Sequence, residues 1–110
     1  FVHYNATDEE SHANSVQGKI KALEKLDKEL LCPLFNYLDQ QYKDNYRVVV
    51  LPDHYTLVKE GIHTTDPVPY AMFGKGINPD EVLSFSENSC FGKEIIKGVD
   101  MMDKLIFSEE

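Results

Sequence analysis

The chain has 110 residues, of which 42% are hydrophobic and 27% charged, values that suit one soluble globular domain and exclude wholesale disorder. Eleven basic against nineteen acidic residues leave a net charge of −8, so the basic footprint of a nucleic-acid binder is missing. No apolar run approaches the length of a membrane span, and no secretory leader pattern is visible, so the sequence reads as cytoplasmic. Cys32 and Cys90 are too few and too far apart for a disulfide framework or a close metal-binding pair, and read as reduced thiols.

Residues Phe1–Thr7 alternate loosely and predict a strand already under way, with His3 as a structural, hydrogen-bonded histidine inside it. This opening carries the expectation that residues 1–110 are the C-terminal part of a longer domain whose N-terminal half is absent. The polar cluster Asp8-Glu9-Glu10-Ser11-His12 breaks the strand. From Ser15 the apolar residues Val16, Ile20, Leu23, Leu26, Leu30, Leu34 and Leu38 step by three or four, which predicts a long helix with a core-facing stripe. Cys32 falls on or near that stripe. Pro33 should kink or split the helix, because it removes a donor and clashes one turn back.

After an Asp44-Asn45 turn, Tyr46–Leu51 is nearly continuous and β-branched, like a strand covered on both faces of a parallel sheet. Pro52-Asp53-His54 stands at its end, and a polar loop leads to His63-Thr64-Thr65-Asp66. Pro67–Phe73 predicts a third strand, with its prolines at the entry. Residues 77–92, including Cys90, read as irregular loop, and 99–107 as a short final helix. Strand, long helix, strand and strand make an α/β class. The simplest topology is a right-handed crossover within a mostly parallel sheet flanked by helices.

Four histidines are present, and three of them stand near a carboxylate at or after a predicted strand. Asp8 and His12 are four apart, Asp53 and His54 are adjacent, and His63 opens the run before the third strand. Ligands of open α/β sheets gather at the carboxyl ends of strands. Imidazole and carboxylate together suit divalent ions, and five such donors exceed the needs of one tetrahedral ion, which points to two. Each pair alone has a plainer reading. Asp8-Glu9-Glu10 also suits an acidic helix start, Pro52-Asp53 a turn, and His63 a solvated loop. Neither the serines nor Gly74-Lys75-Gly76 carry a nucleophile elbow or a phosphate loop.

The stretches Ala6–His12, Leu51-Pro52-Asp53-His54 and His63–Pro69, with Lys19–Asp27 between them, resemble the later half of the archaeal-type, cofactor-independent phosphoglycerate mutases of the alkaline phosphatase superfamily. The resemblance runs from Phe1 to about Gly76. It implies part of an alkaline-phosphatase-like core and two divalent ions (Mn²⁺, Zn²⁺, Co²⁺ or Mg²⁺). Asp8, His12 and His63 would ligate one ion, and Asp53 and His54 the other. The nucleophile and a further Asp ligand would come from the earlier part of the protein, so this chain alone should lack activity. The implied reaction is the glycolytic interconversion of 3- and 2-phosphoglycerate through a phosphoenzyme. The competing functions are a phosphatase or phosphotransferase acting on another phosphate ester, as in relatives labelled homoserine kinase-like, and a metal-binding α/β domain without turnover. Where the family usually has Gly before the histidine of the first motif and often another soon after, this chain has Ser11 and Ala13-Asn14. A phosphorylated small molecule and the missing half are the implied partners, and an open sheet edge would also favour a homo-oligomer.

Overall fold

The first regular element is a helix rather than a strand. In the computed structural model, which describes residues 1–107, residues 1–5 precede helix α1 (Ala6–His12), and His3 is exposed. Asp8 and Glu9 occupy the first turn of α1 and His12 the last, the arrangement the helix dipole favours. The acidic run is therefore a helix start, and the four-residue spacing sets Asp8 and His12 on one face. A strand at residues 1–7 would need a neighbouring strand for its backbone groups, and none pairs with it among the described residues.

Helix α2 (Val16–Lys25) begins at Ser15, whose hydroxyl accepts the Gly18 N–H at 3.0 Å, a cap that contributes about 1 kcal/mol. Pro33 acts as expected, but by widening the helix. Leu26–Leu31 forms a π-helical turn, and helix α3 (Cys32–Tyr42) resumes with the proline in its first turn, where a missing N–H is tolerated. The stripe is less covered than its pattern predicts. Only Ala22 of α2 is buried, Val16, Ile20 and Leu23 are about half exposed, and Leu26, Leu30, Leu34 and Leu38 are half-buried. Cys32 is exposed, because a residue two positions from both Leu30 and Leu34 does not share their helix face.

The strands form two antiparallel pairs instead of one parallel sheet. Strand β1 (Arg47–Val50) pairs with β4 (Ala71–Gly74), matching Arg47 with Gly74 and Val50 with Ala71. Strands β2 (Tyr55–Leu57) and β3 (Ile62–Thr64) form a hairpin within the stretch expected to be a polar loop. Parallel neighbours need a crossover element between them, and no helix lies between β1 and β4 to supply one. Cys90 ends a short helix, α4 (Glu87–Cys90), and the predicted final helix is present as α5 (Met101–Phe107).

Two compact units result. The first comprises residues 1–41 and 54–66, and is made of α1, α2, most of α3 and the β2–β3 hairpin. Within it, Tyr4 Oη donates to Ala22 O at 2.9 Å, and Lys19 Nζ to Thr56 O at 2.9 Å. The second comprises residues 42–53 and the chain from Pro67 onward. There the Arg47 guanidinium donates to Leu105 O and Ile106 O at 3.0 and 3.2 Å, satisfying carbonyls at the end of α5. Gly74 has φ +129°, and its Cα lies against Tyr46 O so closely that a Cβ has no room.

Candidate metal centre

The first unit brings four of the five predicted donors together. Asp8 and His12 come from one face of α1, His54 from the residue before β2, and His63 from the middle of β3. In the hairpin register Thr56 stands directly opposite His63, and His54 lies two residues before Thr56, on the same side of the ribbon. All three side chains thus meet the Asp8–His12 face of α1. Asp53, the fifth donor, belongs to the second unit and is exposed.

The turn that links β2 and β3 is fastened to α1. His12 Nδ1 contacts Gly61 O at 2.7 Å, and Asn14 Nδ2 donates to Val58 O and Lys59 O at 3.0 and 3.2 Å. Gly61 closes the turn with its N–H on Leu57 O, and its φ of +67° is left-handed, the region where glycine is preferred. Asn14 has φ +58°, and Asn is one of the few residues besides Gly that enter that left-handed region readily. Ser11 is fully buried and donates to Thr7 O at 2.8 Å within α1.

Asp8 Oδ1, His12 Nε2 and His63 Nε2 form a nearly equilateral triangle. The edges are 3.3 Å (Asp8–His12), 3.0 Å (Asp8–His63) and 2.9 Å (His12–His63). Two donors of one tetrahedral ion with bonds of ~2.0–2.1 Å stand roughly 3.3 Å apart, so this donor set fits a divalent ion. A carbonyl only accepts hydrogen bonds, so the contact with Gly61 O puts the His12 proton on Nδ1. The lone pair of the neutral ring is then on Nε2, the atom in the triangle. Asp8, His54 and His63 form an overlapping group whose donor atoms all lie within 4.8 Å of one another. The His54 and His63 ring centroids are 3.7 Å apart.

The cluster is open to solvent: the side chains of His12 and His63 are 44% and 48% exposed and that of Asp8 28%. Partial burial pushes the Asp8 carboxyl upward, but hydrogen bonds from Thr56 and His63 and the charge of the His12 and His63 imidazoles outweigh it. The net effect holds Asp8 below its ordinary pKa. Two participants carry no signal of their own in the sequence. Gly61 contributes a carbonyl, and Thr56 a buried hydroxyl 3.0 Å from Asp8 Oδ1.

The family model of the metalloenzyme superfamily matches residues 1–105. The chain belongs to that superfamily. Membership implies use of divalent metal, and Asp8, His54 and His63 are a group able to hold it. Among the curated relatives of this superfamily member is a 2,3-bisphosphoglycerate-independent phosphoglycerate mutase of Methanothrix thermoacetophila, 37% identical over 96% of the chain and 27% of the relative. Mutases of the same description from Pyrobaculum calidifontis and Pyrobaculum arsenaticum are 38% and 40% identical over 93% of the chain and 24% of each relative. The chain therefore spans about a quarter of the length of the curated relatives it matches. No solved structure is significantly similar to it. Among the described residues no helix is long and apolar enough to cross a membrane.

Proposed function

We propose that these residues form the C-terminal, metal-holding part of a 2,3-bisphosphoglycerate-independent phosphoglycerate mutase. The observation that carries the reading is the triangle of Asp8 Oδ1, His12 Nε2 and His63 Nε2 in a chain similar to such mutases along almost its whole length. In this reading Asp8, His12 and His63 hold one divalent ion and Asp53 and His54 a second, drawn from Mn²⁺, Zn²⁺, Co²⁺ and Mg²⁺. His54 stands beside His63, next to the Asp8–His12–His63 set, where a second ion would adjoin the first.

Bound metal supplies Lewis acidity, which favours the ionised form of a hydroxyl nucleophile and offsets phosphate charge. The chain's own residues preorganise this chemistry. Gly61 O fixes the His12 tautomer, Thr56 donates a hydrogen bond to the Asp8 carboxylate, and the exposed face of the triangle leaves room for a phosphoryl oxygen. A hydroxyl elsewhere in the full-length protein attacks the phosphorus of 3-phosphoglycerate, and the C3 oxygen leaves and takes up a proton. The C2 hydroxyl then loses its proton as it attacks the phosphoenzyme, which gives 2-phosphoglycerate and restores the nucleophile. The setting is cytoplasmic glycolysis, and residues 1–110 alone are inactive.

The test is His63→Ala in the full-length protein, with turnover and bound metal measured together. Loss of both is expected, and near-normal turnover with intact metal content refutes the assignment. A panel of other phosphate esters, assayed alongside, distinguishes a mutase from a related phosphatase.

A further inference from the structure

Thr56 is buried, at 8% exposure, in the middle of β2 and opposite His63. Its Oγ1 lies 3.0 Å from Asp8 Oδ1 and 3.0 Å from His54 Nδ1. A hydroxyl has a single proton to donate, and an ionised carboxylate can only accept, so that proton goes to Asp8. The contact with His54 must then run the other way, with Nδ1–H donating to Oγ1. A second observation agrees: His54 Nδ1 is also 3.3 Å from Tyr55 O, a carbonyl that can only accept. The lone pair of the neutral His54 ring is consequently on Nε2.

We propose that Thr56 is a positioning residue that serves two ligands at once, anchoring Asp8 Oδ1 and holding His54 in the tautomer whose Nε2 carries the lone pair. The inference rests on the reading of Asp8 and His54 as metal ligands. One hydroxyl thereby ties the His54 ligand to the Asp8–His12–His63 set. Partners that orient a ligand in this way are worth roughly 10–100-fold in metal affinity.

The experiment compares the full-length wild type with Thr56→Val, which removes the hydroxyl at nearly constant shape, and Thr56→Ser, which keeps it. Mn²⁺ is titrated into each by calorimetry, with circular dichroism as the check on folding. Ring ¹H–¹⁵N correlation spectra of the metal-free proteins report the His54 tautomer. Thr56→Val is expected to bind Mn²⁺ about 10–100-fold more weakly and to weaken the Nδ1–H preference of His54, which then rests on Tyr55 O alone, with Thr56→Ser close to wild type in both. Wild-type affinity in Thr56→Val, Thr56→Ser as weak as the valine variant, or a wild-type His54 protonated on Nε2 overturns the inference alone. A wild type that binds no Mn²⁺ overturns the site reading, and this inference with it. If Thr56→Val does not fold, the serine variant and the wild-type tautomer still decide the matter.

Discussion

Asn14 offers a test of how the candidate metal centre is assembled, because its side chain and its backbone contribute separately. The amide reaches Val58 O and Lys59 O, clipping the hairpin turn to the end of α1, while the backbone is left-handed at φ +58°. Two solvent-accessible hydrogen bonds at the low end of the usual range are worth about 1 kcal/mol together. Alanine in the left-handed region costs about a further 1 kcal/mol, a penalty that Asn partly avoids and Gly does not incur. Asn14→Ala should therefore destabilise the full-length protein by about 2 kcal/mol. For Asn14→Gly, relief of the backbone is offset by added freedom of the unfolded chain, which leaves a loss of about 1 kcal/mol. Urea unfolding of metal-free protein reads both values. The same turn carries Gly61 O, the acceptor for His12 Nδ1, so both variants should also bind Mn²⁺ more weakly. Equal stability of the alanine and glycine variants would refute the backbone half of the reasoning. A glycine variant as stable as wild type, with unchanged metal affinity, would refute the clip.

Asp8 also predicts a pH dependence. A carboxyl whose pKa is lowered by folding stabilises the folded state above its unfolded pKa, ~3.9, and that contribution is lost as pH falls through the folded value. Asp8→Asn should flatten this part of the acid-unfolding profile, and an unchanged profile would contradict it. Divalent metal at 100 times its Kd should add about 2.7 kcal/mol of stability and raise Tm in a calorimetric scan. EDTA should reverse the rise and His63→Ala abolish it, and a Tm indifferent to metal would count against the site. Gly74→Ala should destabilise the β1–β4 pair by at least about 2 kcal/mol, because a Cβ there meets backbone at Tyr46 and φ is +129°; a loss below about 0.5 kcal/mol, on the order of a neutral surface change, would refute it.

Helices are legible in the sequence where the signal is local. The three-to-four spacing from Val16 to Leu38 and the Pro33 interruption correspond to α2, the π-helical turn and α3. Strand β1 is legible from its β-branched run. The β2–β3 hairpin is not, since three-residue strands are too short to show a period of two. Pairing direction is hidden for a related reason. A parallel crossover depends on an opening strand, but residues 1–5 have the apolar alternation without a strand partner, and β4 returns to β1 with no helix between them.

The donors follow the same division. Asp8 and His12 share a face through helical spacing alone, so their pairing is readable from the order of the residues. His63 and His54 meet them only because the hairpin places Thr56 opposite His63 and His54 two residues earlier on the same side. Once a strand is granted at Tyr55–Leu57, the pattern His54-x-Thr56 becomes informative, as period two turns both side chains toward one face. Motif spacing nominates candidate donors, but not which pairs share a hydrogen bond. That depends on a register fixed by the Gly61 turn and the Asn14 clip. The residues that determine protonation in the cluster, Thr56 and Gly61, are accordingly ones whose chemistry carries no motif of its own: a hydroxyl matters here for the direction of its single proton, and a glycine for the carbonyl its left-handed turn presents to His12.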